Sequence, residues 1–337
     1  MLRVLVVGGS GRMGAPAVRA LLARGHDVSV LTRGTRPTPP GTTTLVADRG
    51  DPAALAAALA GRRFDVVLDL LAYDGADVAR LFAAPGFAVG HYLFVSTGQV
   101  YLVGAERRPP FREPDASLPA MPEPVAGTRD HANWVYGIGK RAAEAAAREL
   151  QARRGTHATA LRLPVVHGAG DPSRRLWAYL QRLRDGGPLL LPEGGEHPVR
   201  FVWAEDLGRA VVMLAEGGRA NAPASAYNLA QPDEPRLRDF VTAAARLLGV
   251  TPQLVACTWD DLTAAGLDGS ISPFSGPWCS RPDPSLALRD WGFEGTPSSR
   301  WLPEVVRAHL AEAAPEPHPG YVHRAAERAL AARLGAA

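Results

Sequence analysis

Tyr136 and Lys140 stand four residues apart in WVYGIGKRAAEAAAREL, a run from Trp134 to Leu150 built mostly of good helix formers. That spacing puts the phenol and the amine on one helical face. The pair becomes a candidate for function if the chain also supplies a nucleotide site and a hydroxyl at a strand end. Thr97 adds a hydroxyl. It opens TGQVY (97–101), directly after the apolar run Tyr92–Ser96, at the carboxyl end of an expected strand where open α/β sheets bind ligands. Tyr and Lys at this spacing are common on ordinary helices, and the rest of the chain has to give the pair its meaning.

It begins to do so at residue 1. Leu2, Val4, Leu5, Val6 and Val7 form a short apolar run suited to one buried strand. The run leads into Gly8, Gly11 and Gly14, and then into the helical pattern Ala15–Arg24. Strand, G-x-x-G-x-x-G and helix, in that order, make a dinucleotide fingerprint. Side chains at the glycines would hold a pyrophosphate away from the N–H groups at the helix N-terminus. Gly8, Ser10, Gly11, Arg12, Met13 and Gly14 are therefore the expected cofactor loop. His26–Arg33 reads as a second strand, and Arg33 lies nineteen positions after Gly14. An acid there would bond adenosine ribose hydroxyls, whereas Arg33 suits a 2′-phosphate, with Arg12 as a second positive charge. NADP is the expected cofactor and NAD the alternative.

The elements that must position these groups follow in order. Thr43–Ala47 is a third expected strand, with Asp48 beyond it toward the adenine. Asp51 caps a helix that has Pro52 at its first position. Phe64–Leu71 is a fourth strand, with Leu70, Leu71 and Ala72 expected beside the cofactor. Ala158–Leu163 is a sixth, turning through PVVHGAGD (164–171); Ser96, Leu163, Pro164 and Val166 complete the expected cofactor contacts. Strands alternating with helices predict an α/β fold, a doubly wound parallel Rossmann sheet with a smaller interleaved C-terminal substrate-binding domain. The expected division is 1–165, rejoined by 204–230, against 166–203 and 231–337. The Pro-rich segment Leu102–Asn133 is expected to act as a lid. Trp259–Asp290 reads as irregular, and helices around Trp301–Ala313 and Tyr321–Leu334 read as scaffold.

Composition narrows the class. The 337 residues are 46% hydrophobic and 21% charged, as in a globular protein, with a net charge of +3. The 37 basic residues are interspersed with 34 acids and form no block that reads as a nucleic-acid patch. Two cysteines, Cys257 and Cys279, are too few for a disulfide framework. No apolar run approaches membrane-spanning length, and the nine histidines show no metal-ligand spacing. The expectation is a cytoplasmic enzyme with a small-molecule substrate, no metal, no nucleic acid and no membrane. Tyr101, Trp134, Trp177, Trp203, Phe274 and Trp278 fall in segments expected to line its pocket.

With these motifs in place, residues 1–245 resemble the extended short-chain dehydrogenase/reductases, the NAD(P)-dependent epimerase/dehydratase-like group. The matching stretches are VVGGSGRMG, LTRG, ADRGD, FDVVLDLLAY, FVSTGQVY, YGIGKRAAE, LRLPVVHGAGD and VWAEDLGRA. The resemblance implies that Thr97 orients the substrate oxygen, Tyr136 is the general acid/base and Lys140 binds the nicotinamide ribose. A free phenol, with a pKa of about 10, is a poor base at neutral pH. A nearby ammonium and an oxidised nicotinamide would both favour the phenolate. Gly98, Gln99, Tyr101, His167 and Arg200 are the expected substrate contacts.

Departures from the family narrow the reaction. Sugar 4,6-dehydratases carry an Asp-Glu pair after this Thr, and the 3,5-epimerising reductases carry a Cys at the second position. Gly98 and Gln99 stand there instead. Nucleotide-sugar members place a diphosphate-binding Arg where Val199 falls, and Arg200 is one residue off, on the opposite face of a strand. The expected activity is NADP-dependent interconversion of a ketone and a secondary alcohol. The alternatives are an NAD(P)-dependent epimerase of a sugar-like substrate and a dinucleotide-binding regulatory or RNA-binding protein without turnover. The resemblance also implies a homodimer paired through Val78–Ala84 and Trp134–Leu150.

Overall fold

The computed structural model describes residues 1–221, 223–312 and 316–335. Its strands are β1 (Arg3–Val7), β2 (Asp27–Thr32), β3 (Thr43–Val46), β4 (Arg63–Asp69), β5 (Ala88–Thr97), β6 (His157–Leu163), β7 (Val165–His167), β8 (Leu189–Pro192), β9 (Phe201–Trp203), β10 (Ala226–Asn228) and β11 (Leu254–Cys257). The helices are α1 (Gly14–Ala23), α2 (Pro52–Leu59), α3 (Gly75–Phe82), α4 (Gln99–Leu102), α5 (Arg129–Arg154), α6 (Arg175–Arg184), α7 (Ala204–Asn221), α8 (Leu237–Leu247), α9 (Trp259–Ala264), α10 (Ser285–Trp291), α11 (Ser298–Ala311) and α12 (Arg324–Gly335). Among the described residues no helix is long and apolar enough to cross a membrane.

Seven strands form one sheet in the order β10-β6-β5-β4-β1-β2-β3, and every pairing is parallel. The order reverses between β1 and β4, which is where such sheets open a ligand crevice at their carboxyl ends. The pleat sends alternate side chains to opposite faces. Val4 and Val6 join one core with Ala17, Val18, Leu207 and Val211 of α1 and α7. Leu5 and Val7 join the other, with Leu55, Val78, Leu81 and Ala143 of α2, α3 and α5. A strand buried on both faces needs the continuous apolar run seen at 4–7.

The chain divides into two compact units. The first holds Met1–Val166, Phe201–Pro232 and Ser280–Gly295; the second holds His167–Arg200, Asp233–Cys279 and Thr296–Ala337. Ser280–Gly295 therefore packs with the sheet unit, where the sequence reading gives it to the smaller domain. Within the second unit β8 pairs with β11 in parallel, and a buried Arg182–Glu327 ion pair fixes α12 to α6. The region read as irregular, Trp259–Asp290, contains α9 and α10. The helix expected at Trp301–Ala313 starts earlier, at Ser298, and ends at Ala311; Ala313 lies outside the described residues.

The long helix α5 begins five residues before the expected start. Thr128 caps it by accepting from His131 N, and Gly155, in the left-handed conformation, ends it. Its register is set by Glu144, one turn beyond Lys140. The Glu144 carboxylate takes a bidentate pair of bonds from Arg162 of β6, at 2.9 and 2.6 Å, and a third from Ser96 Oγ at 2.6 Å. Arg162 also donates to Tyr101 Oη and to the Glu113 carbonyl. Tyr101 Oη donates to Asn228, whose amide holds the Phe111 and Asp283 carbonyls. This network also holds the middle of Leu102–Asn133, where the Phe111 ring stacks on Tyr101 at 5.0 Å. Glu144→Ala leaves the Arg162 charge buried without its carboxylate. It should cost about 3–5 kcal/mol, read as a lowered urea midpoint with an unchanged slope.

Candidate active site

The glycine loop fits an anionic dinucleotide. Gly8 has φ +91°, and a Cβ there would stand 2.8 Å from Leu71 Cγ. A Cβ on Gly14 would overlap the Gly8 carbonyl and come within 2.7 Å of Gly9 Cα. The loop thus folds on itself at distances only glycine allows. Ser10 Oγ is buried there and has no hydrogen-bond partner among the described residues. A buried hydroxyl left unpartnered in a glycine cradle is what a phosphate oxygen would complete. Met13 precedes α1 and is half-buried.

The two arginines expected at the 2′-phosphate separate. Arg33 is exposed just beyond β2. Arg12 instead donates to the Val166 carbonyl, because the loop turns its guanidinium toward the segment after β6. Asp48 is exposed, and its carboxylate closes its own turn by accepting from Gly50 N at 2.8 Å.

Asp69, which the sequence reading passed over, ends β4 with no exposed surface. It accepts two bonds from Arg49 (2.8 and 3.0 Å), one from Tyr92 Oη (2.9 Å) and two from the backbone N–H groups of Leu71 and Ala72 (2.9 and 3.1 Å). This acid shapes Leu70–Ala72 into the turn that carries the Ala72 carbonyl. Its sequence signal was an acid inside the apolar run FDVVLDLL, with Arg49 following the third strand.

Lys140 is clamped against that turn. Its Nζ donates to the Ala72 carbonyl at 2.7 Å and the Val95 carbonyl at 2.9 Å. It also lies 4.9 Å from the ring centres of Tyr73 and Phe94 and 5.8 Å from that of Tyr136. Two of its three N–H groups are used, so one remains for a ligand. The glycines of YGIGK explain how the helix comes this close. A Cβ on Gly139 would stand 2.6 Å from the Tyr73 carbonyl, and one on Gly137 would overlap Val103 and stand 2.9 Å from the Gln99 carbonyl. Tyr136 remains 36% exposed, with its ring 6.2 Å from that of Tyr73.

Thr97 ends β5, half-buried; its Oγ1 accepts from Gln99 N at 3.2 Å and keeps a proton to donate. Gly98 N donates to the Leu163 carbonyl, which ties this turn to the end of β6, where Pro164 and Val166 are buried. Ser96, expected beside the cofactor, donates its Oγ proton to Glu144 at 2.6 Å.

Three expected substrate contacts have side chains engaged within their own unit. Tyr101 is 1% exposed, with its hydroxyl inside the Arg162–Asn228 network. His167 belongs to the second unit and is packed among Trp301, Phe274 and Phe240 at 4.9–6.1 Å, a core position. Arg200, also in the second unit, pairs with Glu234 at 3.5 Å. Phe274 and Trp177 are likewise core residues.

The model of the NAD dependent epimerase/dehydratase family matches residues 4–86 and 78–230. The 2′-dehydrokanamycin reductase of Streptomyces kanamyceticus is 32% identical over 225 residues, 65% of this chain and 59% of that protein. The chain thus spans about three fifths of that relative's length. A 3-diazoavenalumate denitrifying reductase of a Streptomyces species is 30% identical over 233 residues, 64% of this chain and 72% of that protein. Among solved structures, a UDP-glucose 4-epimerase from Stenotrophomonas maltophila superposes with a TM-score of 0.69 at 20% identity, over 93% of this chain and 100% of that one. A dTDP-glucose 4,6-dehydratase from Streptomyces venezuelae gives 0.66 at 21%, over 92% and 97%. At these identities the structural likeness is one of fold.

The clamp on Lys140 has a measurable signature. Burial, the largest influence, lowers its pKa from 10.5 to about 8. An unfolded lysine stays protonated up to about 10.5, so the folded chain holds fewer protons between 8 and 10.5, and stability rises with pH across that window. Relative to Lys140→Met, the wild-type protein should gain on the order of 2–3 kcal/mol in urea unfolding between pH 7 and pH 10. A difference that stays flat across that range would contradict a buried, clamped amine.

Proposed function

The chain belongs to the NAD-dependent epimerase/dehydratase family, and from that premise we propose that it is an NADP-dependent oxidoreductase interconverting a ketone and a secondary alcohol on a small metabolite. The observation that carries the reading is the Lys140 clamp, which holds the amine between the Ala72 and Val95 carbonyls with Tyr136 on the same face. The bound dinucleotide would supply or accept the hydride. Gly8, Ser10, Gly11 and Gly14 would hold its pyrophosphate, and the remaining N–H of Lys140 would take a ribose hydroxyl. Thr97 donates its proton to the substrate oxygen and fixes its position. Tyr136 gives a proton to that oxygen during reduction and takes one back in oxidation. The Lys140 charge attracts the negative charge that develops on the phenolic oxygen.

Reduction is favoured over dehydration because Gly98 carries no acid. Two relatives at 30% identity or above are named as reductases, which points the same way. Val199, at the position where nucleotide-sugar members carry a diphosphate-binding Arg, favours a substrate without a diphosphate. Arg33, exposed beyond β2, favours NADP. In the same reading two copies pair through α3 and α5, along a groove lined by Val78, Phe82, Ala146 and Leu150. Sedimentation should then give twice the chain mass at micromolar concentration.

NADPH titration by fluorescence, followed by a carbonyl screen, tests the reading. Arg33→Ala should weaken NADPH about tenfold while moving NADH less than twofold. Tyr136→Phe should keep NADPH binding and lose at least about a hundredfold in turnover. Undiminished turnover in that variant would remove Tyr136 from the chemistry, and tight binding without any turnover would indicate a regulatory protein.

A further inference from the structure

Gly98 has a neighbour that the sequence gives no sign of. A Cβ built on it would overlap Ser280 Oγ and stand 2.5 Å from Ser280 Cβ. Ser280 comes from the far end of the sheet unit's sequence, yet its side chain occupies the place a residue-98 side chain would take. It is 6% exposed. Glycine at 98 is thus a steric condition for Ser280 to be where it is, one residue from Thr97 at the carboxyl end of β5.

The backbone after Ser280 is held from several directions. Phe111 N donates to the Arg281 carbonyl at 2.8 Å, and Asp283 N returns a bond to the Phe111 carbonyl at 2.7 Å. Asn228 Nδ2 bonds both the Phe111 and the Asp283 carbonyls at 3.0 Å. Asn228 is itself held by Tyr101 Oη at 2.6 Å, within the Arg162–Glu144 network. A side chain on so tightly tethered a strap has a fixed position, as recognition of a substrate group demands.

Resting on the reading of Thr97 and Tyr136 above, we propose that Ser280 is a specificity-determining residue. Its hydroxyl bonds a polar group, a hydroxyl or an amine, on the carbon beside the carbonyl that Thr97 holds. A serine hydroxyl can both donate to and accept from such a group while keeping its own proton near neutral pH. The substrate class is therefore an α-hydroxy or α-amino ketone and the corresponding vicinal diol or amino alcohol.

The test uses the full-length protein with NADPH and three matched pairs: hydroxyacetone and acetone, 2-hydroxycyclohexanone and cyclohexanone, benzoin and deoxybenzoin. For the wild type, kcat/KM should favour the hydroxylated member about tenfold in at least one pair, mostly through KM, as one neutral hydrogen bond would give. In Ser280→Ala that ratio should fall to about one. The double variant Gly98→Ser with Ser280→Gly, which returns a hydroxyl to the same space from the other strand, should restore at least a threefold preference. Turnover with no wild-type preference, or a ratio that Ser280→Ala leaves within twofold, overturns this inference alone. No wild-type turnover of any pair with NADPH bound overturns it together with the reading it rests on.

Discussion

The ion pair between Glu144 and Arg162 governs the geometry of the sheet unit. A buried pair of this kind does not stabilise a fold merely by existing, because taking two charges out of water costs about as much as their attraction returns. Here the balance is tipped by completeness. Each Glu144 oxygen takes an Arg162 nitrogen, and Ser96 adds a third donor, while the Arg162 Nη1 group donates to Tyr101 and Glu113. What the pair supplies is register. Glu144 can meet Arg162 in only one rotation of α5, and that rotation carries Lys140, one turn earlier, toward the Ala72 and Val95 carbonyls.

Asp69 imposes a second condition from the opposite side of Lys140. By gathering Arg49, Tyr92 and the two N–H groups at 71–72, it converts the end of β4 into a fixed turn whose Ala72 carbonyl receives the lysine. The amine is therefore held between two structures that are each fixed by a buried carboxylate. Its lowered proton affinity is a consequence of that enclosure.

The local parts of this arrangement were legible in the sequence. The apolar run 4–7, the glycine loop and the Tyr136–Lys140 spacing announce themselves within a few residues, and the alternation of strands and helices implies the sheet. Pairings across long separations were not. Tyr101 looked like a substrate contact because it follows a strand end, but its partner Asn228 lies 127 residues away. His167 is expected as a substrate contact, and only the packing of Phe240, Phe274 and Trp301 shows it to be core. The middle of Leu102–Asn133, expected to act as a lid, is held through Arg162 in the same long-range way. Arg12 carries a charge the sequence shows and a direction it does not.

The close backbone approach at Gly137 and Gly139 has an evolutionary consequence. With α5 seated on the Tyr73 and Gln99 carbonyls without room for a methyl group, the proton-handling helix has almost no tolerance for drift. The strap that brings in Ser280 is held by backbone bonds to Phe111 and by Asn228, whose partner Tyr101 is bonded in turn to Arg162 of the pair that sets α5. Substitutions around Asn228 therefore shift what reaches position 98 and the acid–base apparatus together. Substrate range and chemical competence are then coupled heritable traits of one chain.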